Sequence, residues 1–153
     1  MEQPVPTVWE EAFDEAQQFA EAQQTVEPLS SDLNTLLELG KLEETVEIGN
    51  RKVTLRTLKV GEELEVGLLT KEYQSSSEQL RAEITAIVAA SIVSIDGKPL
   101  ITSFGPDEIT FRDKFNYVNN NFYWPVIRMI YKSYTDLLDR VEESLKEFNK
   151  KKD

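Results

Sequence analysis

The chain has neither cysteine nor histidine among its 153 residues. Thiolate nucleophiles, imidazole bases, thiolate or imidazole metal sites and disulfides are therefore excluded together. A disulfide-stapled extracellular scaffold goes with them. Long apolar runs are also missing. The best of them, Ile84–Ile95, is interrupted by Thr85, Ser91 and Ser94 and falls far short of the roughly twenty residues a membrane span needs. The opening Met-Glu-Gln-Pro-Val-Pro is neither basic nor apolar, so no signal peptide is expected. The expected setting is soluble and intracellular. Clustered cations are confined to Lys150–Lys152, which suit a helix C-terminus better than a phosphate backbone. The composition predicts no cofactor, no nucleic acid and no membrane as partners.

Acidic charge is in excess, and it lies at one end. Residues 1–48 hold twelve acidic residues against the single base Lys41, and residues 49–153 are balanced, so the net −11 belongs to the first third. Such a division reads as an acidic arm beside a neutral body, with the arm kept in solvent or offered to a partner. We place the arm at 1–28 and the body at 29–153. With 40% apolar residues the body can bury one core.

Within the arm, Thr7 and Glu10 form a T-x-x-E capping pair ahead of an expected helix from Trp9 to Gln24. Trp9, Ala12, Phe13, Ala16, Phe19 and Ala20 make a narrow stripe, and acids occupy the rest. The stripe either packs on the chain's own body or docks another chain. Ser30, Ser31 and Asp32 can cap a short helix from Leu33 to Leu39, closed by Gly40, with Leu33, Leu36 and Leu37 inward.

The segment Glu43–Leu58 alternates on both sides of Gly49-Asn50 and reads as a hairpin. A two-residue turn pairs Val46 with Val53, Glu47 with Lys52, Thr45 with Thr54 and Glu43 with Arg56, which sets two opposite-charge pairs across the strands. A lone hairpin is unstable in water, so it must lie on helices or pair with strands of other copies.

Four helices are expected after it. One starts at Gly61 and runs through Leu64, Leu68, Leu69 and Tyr73. The next follows the Ser75/Glu78 capping pair, spans Glu78–Val93 and is apolar nearly all round, which marks the middle of a bundle. Ile95-Asp96-Gly97-Lys98-Pro99 is a sharp turn. Pro106, Asp107 and Glu108 open a helix to Val118, broken by Asn119–Asn121. Pro125 opens the last and longest, to Phe148. There Ile127, Tyr134, Val141 and Phe148 recur every seven residues, Ile130 and Leu137 lie between, and Leu138 and Leu145 widen the seam. The fold class is thus mainly α with a small β-hairpin (α+β), a helical bundle with a long C-terminal helix.

Sites of chemistry are sparse. No phosphate-binding or dinucleotide-binding glycine loop, zinc-protease motif or EF-hand spacing occurs. Asp96-Gly97 reads as a turn, Glu62, Glu63 and Glu65 as a solvated helix face, and Ser75–Ser77 lacks a histidine. The expectation is a protein that is not an enzyme.

The order of elements over 43–100 carries a resemblance. A charged hairpin, V-E-I-G-N-R-K-V-T-L-R-T-L, leads into K-V-G-E-E-L, and an apolar helix, A-I-V-A-A-S-I-V-S-I, ends in D-G-K-P-L. This resembles the tail assembly chaperones of long-tailed bacteriophages and related small tail or baseplate proteins, over Val46–Glu63 and Ser91–Leu100. The acidic arm is not part of the pattern. The resemblance implies a chaperone that covers the apolar stripes of a long helical tape-measure protein until tube protein displaces it, in the host cytoplasm. Two partner-binding surfaces follow: Trp9, Phe13 and Phe19 on the arm, and Tyr131, Tyr134, Leu138 and Leu145 on the exposed side of the last helix. Self-association is a further possibility. A permanent virion component (tail, baseplate or connector) and an acidic adaptor or inhibitor are the competing readings.

Overall fold

A computed structural model describes residues 37–101 and 108–150. The chain divides into two units, 1–39 and 40–153. The expected arm helix with Trp9, Phe13 and Phe19 lies outside the described residues, as do Pro106 and Asp107.

The hairpin forms as the alternation predicts. Strand β1 (Glu43–Ile48) pairs antiparallel with β2 (Arg51–Arg56) in the expected register, Val46 opposite Val53 and Glu43 opposite Arg56. Gly49 takes a φ of +65° in the turn, a conformation that suits glycine because it has no Cβ. The Thr45 and Thr54 hydroxyls meet at 2.8 Å on the exposed face. Val53 and Leu55 point the other way and are buried.

Helix α1 spans Val60–Thr70, α2 Ser76–Ser91, α3 Phe111–Asn121 and α4 Trp124–Lys150. Each start has a local cause. The Glu62 carboxylate accepts from the Lys59 amide at 3.0 Å, and Ser75 Oγ accepts from the Glu78 amide at 3.2 Å. At α3, Thr110 Oγ1 accepts from the Asp113 amide and Asp113 accepts from the Thr110 amide, a reciprocal capping box. Pro125 stands in the first turn of α4, where its missing N–H costs nothing.

Four expectations change. Helix α2 stops at Ser91, and Ile92–Ile95 becomes a strand, β3, antiparallel to β2 with a register shift between Thr54 and Leu55. The hairpin therefore finds its third strand within its own chain, in the order β1-β2-β3. Helix α3 begins at Phe111 because Thr110 with Asp113 is the working cap, leaving Glu108 outside, and Asn119–Asn121 continue the helix instead of breaking it. Leu37, expected inward, is 65% exposed.

The fold is α+β: four helices and a three-stranded antiparallel sheet among the described residues, with α4 the longest helix. Helix α2 is central, packing on α1, α3 and α4. Its buried side is made of small residues, Ala82, Ala86, Ala89 and Ala90, which let neighbouring helices approach closely. Leu55 and Ile92 from the sheet, Val88 from α2, Val118 from α3, and Ile130 and Leu137 from α4 meet in one core. No helix among the described residues is long and apolar enough to cross a membrane.

Candidate interaction surface

Of the acidic and hydroxyl groups that could be read as chemistry, Asp96, Glu62 and Ser75 are committed to structure, whereas Glu63 and Glu65 are exposed on α1. Asp96 and Gly97 both have positive φ, 53° and 79°, and close a tight turn in which Ile95 and Lys98 exchange backbone hydrogen bonds. The Asp96 carboxylate accepts from the Lys52 amide at 2.9 Å and from Arg51 at 2.8 Å, and both hold it below the usual carboxylate range. Glu62 takes a two-pronged contact from Arg56, at 2.9 and 2.5 Å, which lowers its pKa in spite of partial burial. The Arg56 pair in turn joins the end of β2 to the start of α1. Lys114 nearby is lowered, first by burial and then by the Arg56 charge. Among the described residues no acidic cluster has the geometry of a metal site.

The residues expected on the exposed side of α4 separate. Tyr134 is a correction: it is 3% exposed and belongs to the core. Its phenol is pushed up to about 12, chiefly by burial and then by the Glu63 charge, against the opposing pull of a hydrogen bond with the Leu58 backbone. Seven-residue recurrence places Tyr134 on the same stripe as Ile127, and that stripe faces inward against the sheet and α2. Leu138 is half-buried and packs on the core. Leu145 is half-buried farther along the helix. Tyr131 alone of the four lines an open groove.

That groove runs between α2 and α4. Ile84 contributes from α2, and Trp124, Pro125, Arg128, Met129, Tyr131, Lys132 and Thr135 from α4, around about 620 Å³ of open volume. Its surface is mainly apolar, and Met129 is half exposed within it. Trp124 is held in place from the other side by the Arg81 guanidinium, 5.0 Å from its ring centroid. A flexible thioether beside a fixed indole makes a surface that can adapt to an apolar partner.

A second apolar surface lies on α1. Val60, Leu64 and Leu68 recur every four residues and are 73%, 65% and 66% exposed, whereas Val66 and Leu69 on the opposite side are buried. The leucines of α1 thus divide between core and solvent. Gly67 lies between them, and a Cβ built there would meet nothing within 4 Å. Single exposed leucines are ordinary, but three aligned on one helix form a continuous patch. Periodicity alone could not separate these faces, because Leu64, Leu68 and Leu69 are equally apolar in sequence.

No protein-family model, curated protein or solved structure matches this chain.

Proposed function

We propose that this protein is a bacteriophage tail assembly chaperone that covers apolar helical segments of a long tape-measure-type client. The observation that carries the reading is that the body exposes two apolar surfaces, the α2–α4 groove and the α1 stripe, although its core is already closed. Exposed apolar area of this extent costs solubility unless a partner covers it. The groove walls are helices whose backbone groups are already bonded, so they favour side-chain contact with another helix over strand pairing. The excess negative charge of residues 1–48 keeps a complex with an apolar client dispersed in the host cytoplasm. Several copies along one client give avidity while each contact stays weak enough to be displaced by tube protein.

The test is co-expression with the longest helical protein encoded in the neighbouring reading frames, in cells that lack tube protein. Co-purification that is lost on Met129→Glu and Leu64→Glu supports the proposal, together with absence of the chain from mature particles. Presence in purified mature particles at fixed stoichiometry would instead make it a permanent virion component. Co-purification untouched by both substitutions would remove these surfaces from the reading.

A further inference from the structure

The charged side chains that line the α2–α4 groove are both cations. Arg128 and Lys132 stand one turn apart on α4, on either side of Met129 in sequence. The salt bridges among the described residues use Arg51, Arg56, Arg112 and Arg140, and neither Arg128 nor Lys132 enters one. Asp136, one turn beyond Lys132, makes no salt bridge with it. On the α2 side the neighbouring charges are Glu83, exposed beside Ile84, and Arg81, which is spent on Trp124. The rim on the α4 side is therefore positive and unpaired, above an apolar floor. What sets the pair apart is its place: both cations line the same mainly apolar groove, and no acidic side chain lines it with them.

We infer that the groove takes an amphipathic helix whose apolar stripe is bordered by carboxylates, with Arg128 and Lys132 as the residues that select it. The inference rests on the proposed client-covering role and names the chemistry of the segment covered. A helix is the occupant because it satisfies its own backbone, and the groove walls offer no free backbone partner. The α4 lining from Trp124 to Thr135 covers about three turns, roughly 16 Å, enough for apolar residues at i, i+3 or i+4, and i+7. Carboxylates four residues apart on such a helix match the one-turn spacing of Arg128 and Lys132. A base-bordered helix would set like charges together at the rim, which costs affinity and rejects the wrong segment.

The experiment uses the full chain and two synthetic helical peptides with the same leucine stripe, one bordered by glutamate and one by lysine. Binding is read by fluorescence anisotropy over a range of salt. The lysine peptide can associate with the acidic residues 1–48, so the decisive quantity is the change between the natural chain and R128E/K132E. The glutamate peptide is expected to weaken about tenfold or more in R128E/K132E, and to weaken with salt in the natural chain. R128Q/K132Q should fall between the two. Met129→Glu should abolish groove binding of that peptide, and circular dichroism should give the natural helix content for every variant. An unchanged affinity of the glutamate peptide in R128E/K132E overturns the inference. Loss on Met129→Glu without any effect of the charge variants leaves the groove as a docking surface and removes only its charge selectivity. Binding of neither peptide overturns this inference, while the client co-expression test still decides the wider proposal.

Discussion

Tyr134→Ala separates a core role for this residue from a partner-facing one. The ring is 3% exposed and packs with Ile130, Leu137, Val88 and the sheet in one cluster. Removing a buried aromatic side chain loses its transfer free energy and leaves a cavity, about 3–5 kcal/mol in total. For a chain of this length each kcal/mol lowers the melting temperature by about 2–4 °C, so a fall of roughly 6–20 °C is expected by circular dichroism. Tyr134→Phe keeps the ring and removes only the hydroxyl, so it should cost only about 1 kcal/mol. The two variants also differ from the natural chain at high pH. The folded phenol is pushed up to about 12 from an ordinary value near 10. Between those values the unfolded chain has lost the proton that the folded chain keeps, so stability is flat below about pH 10, falls through the window and levels off above it. The loss is on the order of 2–3 kcal/mol, and Tyr134→Phe should lack it. A Tyr134→Ala protein that melts within about 2 °C of the natural chain, yet binds its partner less well, would refute the core assignment.

Other outcomes follow from single contacts. Gly67→Ala should raise stability by about 0.5–1 kcal/mol in a urea titration, because the added methyl meets open space and alanine is the better helix former. Thr110→Ala should cost about 1 kcal/mol by removing the hydroxyl that caps α3, and Thr110→Ser should restore most of it. Glu62 titrates below its ordinary value because Arg56 holds the charged form, so its contribution is present above about pH 4.5 and lost as pH falls through the lowered value. Glu62→Gln should flatten that acid limb in a series of melts from pH 6 to 2.

How much of the fold was legible depends on how local its cause was. The hairpin register was readable because a glycine turn and cross-strand charge pairs act over a few residues. The Asp96-Gly97 turn and the Pro125 start of α4 were readable for the same reason. The cap of α3 was local too, but two candidates competed. Thr110 with Asp113 satisfies two backbone N–H donors reciprocally, whereas the proline signal at Pro106 gave only a permissible start.

Composition and spacing by themselves determined the fold class, the acidic end, the lack of imidazole and thiol chemistry, and the central place of the small-residue helix. Each of these depends on which residues are present or on periods of two to seven residues, so no distant neighbour is needed to read it. Only the tertiary structure decided that Ile92–Ile95 leaves the helix for a strand, since its alternative to one more helical turn is the open edge of β2, nearly forty residues earlier. Only packing decided which apolar side chains are core and which are surface. Tyr134 and Tyr131 share one helix, and Leu64 and Leu69 share another, yet one of each pair is buried and the other is not. Burial depends on what stands opposite, and the partners that bury Tyr134 and Leu69 come from elements far away in the chain.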